Sequence, residues 1–263
     1  MDRRAPLSWQ GTGFTDTGLA RQTNQDAFAV DNDLGLWIVA DGMGGHAGGG
    51  MASRIAVDSL IGTVRAAAAA GGALSAQPSR AVDLLTEALA IAHEAIHQAA
   101  LQNQEFEGMG TTIVACLLCP GSPSEIVLAH VGDSRAYLLR DRRLHALTTD
   151  HSYVQKLVAQ GSLTQDEASR HPQRNVLLQA LGSPGQSIPD TRIQSLEPDD
   201  VILLCTDGLT KMLGEEEILS LLSDAQGSPT DMSRRLVDRA NENGGKDNTT
   251  VLLIRPNRSI PAG

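Results

Sequence analysis

Two apolar runs, Leu36-Trp37-Ile38-Val39-Ala40 and Val201-Ile202-Leu203-Leu204-Cys205, lead into Asp41-Gly42 and, after Thr206, into Asp207-Gly208. Each pattern places a carboxylate at the end of a strand. Glycine there lets the backbone turn sharply and lets a carbonyl, such as that of Gly42, point at a ligand. One such segment reads equally well as a glycine-rich turn with an Asp cap; its repetition favours a ligand set. Asp247 precedes Asn248 and the strand-like Thr249–Ile254, and Asp133 follows an apolar run ending at Val131. Four aspartates at strand edges repel one another and are tolerable together only with cations between them. Carboxylates, a carbonyl and water are hard oxygen donors, which select Mg²⁺ or Mn²⁺ over zinc or copper. Two such ions about 3.5–4 Å apart can share a water, lower its pKa and present hydroxide in line with a phosphorus atom.

The elements that must position these residues follow from periodicity. Alternation and β-branched content predict strands at Gly11–Thr15, Leu36–Ala40, Thr111–Leu118, Ile126–Val131, Arg135–Leu139, Leu144–Thr148, Val201–Cys205 and Thr249–Ile254. Pro120-Gly121-Ser122-Pro123 and Asp141-Arg142 are hairpin-length breaks, so neighbouring strands should run antiparallel. Long helices are expected over Gly49–Ala70 and Arg80–Gln102. Three later ones are marked by Thr164 with Glu167, by Gly214 before three glutamates, and by Ser228-Pro229 with Asp231. The expected architecture is an α+β, four-layer α-β-β-α sandwich: two antiparallel sheets packed face to face and flanked by helices. The chain reads as a single domain over 1–263, with its core at about 8–256 and a flap at about 150–187.

Composition narrows the partners. Of the 263 residues 41% are hydrophobic but only 3% aromatic, so the core must be built from Leu, Val, Ile and Ala, and a nucleic-acid platform of stacked aromatics is disfavoured. A net charge of −10 repels nucleic-acid backbones and anionic lipid surfaces. With no apolar run long enough to span a bilayer, the chain is expected in the cytoplasm and as a monomer. Cys116, Cys119 and Cys205 lie in strand-like segments and suit reduced, buried thiols. In a strand, Cys116 and Cys119 would point to opposite faces, which argues against half a zinc site.

Six segments together carry a family resemblance: Arg21-Gln22-Thr23-Asn24-Gln25-Asp26, Asp41-Gly42-Met43-Gly44-Gly45-His46, Gly110-Thr111-Thr112, Gly132-Asp133-Ser134-Arg135, Thr206-Asp207-Gly208-Leu209 and Asp247-Asn248-Thr249-Thr250. In this order, from about Gly11 to Ile254, the chain resembles metal-dependent protein phosphatases of the 2C type, above all the bacterial single-domain members that reverse serine/threonine kinases. The resemblance implies phosphoserine and phosphothreonine proteins as substrates and a cognate serine/threonine kinase. It also implies two Mn²⁺ or Mg²⁺ ions. Asp41 would bridge them, the Gly42 carbonyl would hold one, and Asp207 and Asp247 would hold the other. Asp133 with Asp207 would bind a third, weaker ion. Arg21 would clamp the substrate phosphate, and Asp26 would hydrogen-bond metal-bound water. The chain departs from the best-known eukaryotic pattern at Met43, where those enzymes carry a histidine proposed as general acid, and at Gln25, where they carry a glutamate. Protonation of the leaving group then falls to metal-bound water, to another side chain such as His46, or to nothing at all. Arg170 stands where some relatives use a flap serine toward the third ion.

Rival motifs are weaker. His93-Glu94-Ala95-Ile96-His97 matches the helical H-E-x-x-H of zinc proteases but lacks the His-x-x-Gly-x-x-His continuation. Gly132-Asp133-Ser134-Arg135-Ala136 lacks the second glycine of a nucleophile elbow, and the glycines at 42–50 fit no nucleotide loop. A catalytically weak, phosphoprotein-binding regulator is the remaining alternative, and the complete set Asp41, Asp207, Asp247 and Arg21 speaks against it.

Overall fold

The computed structural model describes residues 8–44, 48–70, 77–119, 121–223 and 228–257. In chain order it contains β1 (Trp9–Asp16), β2 (Asp26–Asp31), β3 (Leu36–Met43), α1 (Gly48–Ala69), α2 (Pro78–Gln102), β4 (Gly110–Thr111), β5 (Ile113–Leu118), β6 (Glu125–Val131), β7 (Arg135–Arg140) and β8 (Arg143–Ala146). There follow α3 (Tyr153–Ala159), α4 (Gln165–Arg170), β9 (Asp190–Ser195), β10 (Val201–Cys205), the single turn α5 (Asp207–Thr210), α6 (Glu215–Ser223), α7 (Pro229–Glu242) and β11 (Thr249–Pro256). One sheet has the order β1-β11-β10-β7-β8; the other runs β2-β3-β5-β6-β9, with β4 on β3. Every pairing is antiparallel.

Period-2 alternation sorts each central strand between two cores. Leu36, Ile38 and Ala40 of β3 pack toward α1 and α2 with Ile113, Ala115, Val127 and Ala129. Trp37 and Val39 face the other way, into an inter-sheet layer with Val114, Leu128, Leu138, Ile202, Leu204 and Leu252. Tyr137, Leu203, Cys205, Val251 and Leu253 form the third layer against α6 and α7. A strand buried on both faces reads as an unbroken apolar run, which is why β3 and β10 stand out in the sequence. The result is the α+β, α-β-β-α sandwich expected. Cys116 lies in the inter-sheet core and Cys119 in the helix-facing one, so the two thiols do point apart; both are free and buried, as is Cys205.

Local signals hold at several ends. The β7–β8 hairpin turns through Asp141 and Arg142, both with positive φ (50° and 58°), the conformation a two-residue hairpin needs. Capping boxes close Thr164 with Glu167 and Ser228 with Asp231 at the starts of α4 and α7. Four corrections apply. The predicted strand Thr111–Leu118 is broken at Thr112 into β4 and β5, and Leu144–Thr148 is shifted to Arg143–Ala146. β2 and β9 are additional strands, and α3 and α5 are additional helical segments. β2, Asp-Ala-Phe-Ala-Val-Asp, is Ala-rich with acidic ends, and β9, Asp-Thr-Arg-Ile-Gln-Ser, is an exposed polar edge; pairing with β3 and β6 makes them strands despite weak local preference.

Leu204 is completely buried between the sheets. Leu204→Ala is expected to lower unfolding free energy by about 2–5 kcal/mol in urea titration; a loss below about 1 kcal/mol would contradict its place in that layer.

Candidate active site

Asp41 is fixed by its backbone, which frees its carboxylate for the cleft. Its amide donates to Thr112 Oγ1 (3.1 Å), and its carbonyl accepts from the Thr112 amide (2.9 Å) and Thr111 Oγ1 (2.9 Å). Thr112 is held in turn by Ser134 Oγ at 2.7 Å. Gly42 is fully enclosed: a Cβ there would stand 2.0 Å from the Gly49 carbonyl oxygen. The chain is glycine at this point because the start of α1 lies directly on the backbone of β3. On β2, Asp26 is the cross-strand partner of Asp41.

The opposing sheet delivers the other carboxylates. Asp207 opens α5 at the end of β10, and Asp247 lies two residues before β11. The two segments meet backbone to backbone, since a Cβ on Gly208 would fall 1.9 Å from the Asn248 carbonyl oxygen. Asn248 is a clamp: its Oδ1 accepts from the Gln25 amide (2.8 Å), and its Nδ2 donates to the carbonyls of Thr17 (2.9 Å) and Thr23 (3.0 Å). These bonds fasten the loop that carries Arg21. The Arg21 guanidinium, half exposed, pairs with Asp247 through Nε to Oδ1 (2.8 Å) and Nη2 to Oδ2 (3.0 Å). Lys211 reaches in beside it, touching Asp207 Oδ2 and lying 3.8 Å from Asp247 Oδ2.

Crowding leaves its mark on the protonation equilibria. Burial first, and then the charges of Asp26, Asp207, Asp133 and Asp247, push the Asp41 carboxyl well above the usual carboxylate range. Burial likewise raises Asp26 to about 7, against hydrogen bonds from Thr250 Oγ1 (2.7 Å) and Thr206 Oγ1 (3.0 Å). Asp133 rises to about 7 through burial and the charges of Asp207 and Asp150, opposed by Lys211 and Arg135. Asp207 is raised by burial despite Lys211. Asp26 Oδ1 and Asp207 Oδ1 are buried with no hydrogen-bond partner among the described residues. The structure thus brings Asp26, Asp41, Asp133, Asp207, Asp247, Gly42 and Arg21 to one cleft.

The segment expected to form a flap is tied to the same turns. Arg135 grips Asp150 with two bonds, Nε to Oδ1 (2.8 Å) and Nη2 to Oδ2 (2.7 Å). His151 N donates to the Gly132 carbonyl (2.9 Å), and the returning strand pairs Leu181 with Thr111. His93, from the protease-like motif, accepts the Gly182 amide on Nδ1 (3.1 Å), while Glu94 is exposed and takes a bond from Gln98. The motif therefore secures the flap's return rather than building a zinc site. Arg170 is the exposed last residue of α4, Met43 pairs with Gly110 beside the cleft, and His46 lies outside the described residues.

Among the described residues the tight ligand-type trio is His130, His151 and Asp190, their atoms within 4.8 Å of one another. Its hydrogen bonds place the ring protons. His130 Nε2 faces the Thr149 carbonyl, and His151 Nδ1 accepts the Gly132 amide, so the His151 proton sits on Nε2 toward Asp190. His151 then has no lone pair to give a metal there. The aspartate cluster is more widely spaced than a one-ion cage, which suits ions that keep several waters.

Asn248, Thr111 and Thr112 stand in the motifs that carry the resemblance but had no role assigned there, and Lys211 was not singled out. Lys211 had one available signal, its i,i+4 relation to Asp207. Asn248→Ala leaves one amide and two carbonyls without their partner. It should cost about 1–3 kcal/mol in denaturant unfolding and loosen the Arg21 loop to hydrogen exchange, and unchanged exchange at residues 17–25 would refute the clamp.

The model of the family described as protein phosphatase 2C matches residues 19–246. The serine/threonine phosphatase stp of Listeria welshimeri is 37% identical over 246 residues, covering 92% of this chain and 94% of its own length. Protein phosphatase PhpP of Streptococcus pneumoniae is 36% identical over 255 residues, covering 93% and 96%. The solved serine/threonine phosphatase of S. agalactiae superposes with a TM-score of 0.85 at 35% identity over 94% of this chain and 99% of that one. The catalytic domain of the phosphatase PstP, solved in complex with two manganese ions, does so at 0.80 and 30% identity over 95% and 99%. Fold, ordered motifs and relatives agree: the chain belongs to the protein phosphatase 2C family.

Proposed function

We propose that this chain hydrolyses phosphoserine and phosphothreonine in proteins at the aspartate cleft, with two Mn²⁺ or Mg²⁺ ions held by Asp41, the Gly42 carbonyl, Asp207 and Asp247. The observation that carries this reading is Asp207 Oδ1, a buried carboxylate oxygen with no donor among the described residues, close to the equally crowded Asp41. Like charges packed this way call for divalent cations, and the all-oxygen donor set suits hard ones. Bound there, such ions supply Lewis-acid activation of water and neutralise charge developing on phosphate.

The chain's own residues do the rest. Asp247 takes Nε and Nη2 of Arg21, leaving the Nη1 donors for a phosphate oxygen. Asp26, steadied by Thr206 and Thr250 on one oxygen, offers the other to a water in the cleft. Met43 carries no proton, so no acid is assigned at that position. The segment from about 150 to 187 acts as a flap of one domain and bears on substrate choice, its exposed Val176 and Leu178 offering apolar contact to a peptide. No helix among the described residues is long and apolar enough to cross a membrane. On the family resemblance, we propose that the chain is a cytoplasmic monomer opposed by a cognate serine/threonine kinase.

Turnover of a phosphothreonine peptide should require Mn²⁺, cease with chelator, and fall to background in Asp41→Ala and Asp207→Ala. Arg21→Ala should lose about 2 kcal/mol of transition-state stabilisation, roughly 30-fold in kcat/KM. Phosphopeptide binding without turnover in the native chain would overturn the proposal in favour of a binding regulator.

A further inference from the structure

Lys211 is the C-cap of α5, one helical turn beyond Asp207, and its backbone amide bonds the Asp207 carbonyl at 2.8 Å. The i,i+4 spacing turns its side chain back along the helix onto the Asp207 carboxylate. Only a third of that side chain remains exposed, so the stem is laid down inside the cleft rather than trailing in solvent. Its ammonium contacts Asp207 Oδ2, stands 3.8 Å from Asp247 Oδ2, and is near enough to Asp133 for each to feel the other's charge. The two oxygens of Asp207 are thereby divided: Oδ2 is taken by Lys211, and Oδ1 stays buried without a partner among the described residues.

We infer that the Lys211 ammonium is a tethered cation filling the corner between Asp207 and Asp133, so that this chain holds two divalent ions and no third. The inference rests on the metal reading above. Charge balance supports it. The five aspartates carry at most five negative charges, and two divalent ions together with Arg21 and Lys211 already outweigh them. A third ion would have to share Asp207 Oδ2 with an ammonium in contact with it, against direct like-charge repulsion. Asp133 then serves as a counter-charge for Lys211, and it needs no ion of its own.

The test counts ions rather than product. Mn²⁺ is titrated into the native full-length chain, and bound ions are read by calorimetry and by the electron paramagnetic resonance signal of free Mn²⁺. The native chain should bind two ions and show no third up to millimolar Mn²⁺. Lys211→Met, which keeps an unbranched stem without charge, should gain a third and weaker ion, and adding Asp133→Asn should remove it. Lys211→Arg should stay at two. Circular dichroism melts confirm folding, and Lys211→Gln repeats the count if the Met variant does not fold. Three ions in the native chain, or two in both neutral variants, would overturn the inference. A native chain that binds none would overturn the metal reading as well, a result distinguishable from either.

Discussion

Asp26, Asp41, Asp133, Asp207 and Asp247 are like charges held together where water is scarce, and nearly every local feature around them serves that juxtaposition. Two come from β2 and β3 in one sheet, one from the turn after β6, and two from the ends of β10 and β11 in the other sheet. The cluster therefore exists only once the two sheets have packed. Its repulsion is opposed by the apolar inter-sheet layer, with Trp37, Leu204 and Leu252 at its centre. It is also opposed by clamps around the cluster, of which the one on Asp41 uses only its backbone and leaves the carboxylate untouched. Thr111 and Thr112 hold Asp41, and Asn248 fixes the approach beside Asp247 and Arg21. The raised pKa values of Asp26, Asp41, Asp133 and Asp207 are the remaining strain in that arrangement, and cations relieve it.

The flap adds a second dependence. It leaves the core at Asp150 and His151, bonded to Arg135, two residues after Asp133, and to Gly132, the residue before it. It returns at Leu181, bonded to Thr111, which holds the Asp41 carbonyl. Both attachments thus end within two residues, or one hydrogen bond, of an aspartate of the cluster. The segment from about 150 to 187 and the cluster therefore share their backbone anchors, so a displacement of one would be felt at the other.

Much of this was legible in the residues. Strands buried on both faces announce themselves as unbroken apolar runs, and Asp-Gly at their ends marked Asp41 and Asp207 before any fold was known. Asp133 and Asp247 followed by repetition, while Arg21 and Asp26 needed the family resemblance, because nothing in their local sequence distinguishes them from surface charges. The rest depended on tertiary contact. β2 and β9 have weak strand preference and become strands by pairing with β3 and β6. The His93–His97 spacing is genuinely helical, yet its chemistry is settled by Gly182, nearly ninety residues away, taking the His93 lone pair. Asn248 as clamp and Lys211 as internal cation are of the same kind, since their partners lie across the sandwich or in a charge cluster that the sequence does not display.

A repulsive carboxylate cluster of this kind is completed by divalent cations. The most direct test is the thermal unfolding midpoint of the native chain and of Asp41→Asn, each followed against Mn²⁺ concentration at fixed pH. The account predicts a midpoint for the native chain that climbs steadily with Mn²⁺ by mass action. For Asp41→Asn it predicts a metal-free midpoint no lower than native, because one repelling charge is gone, and little further rise with metal. A native midpoint indifferent to Mn²⁺, or an Asp41→Asn chain that responds as the native one does, would contradict it.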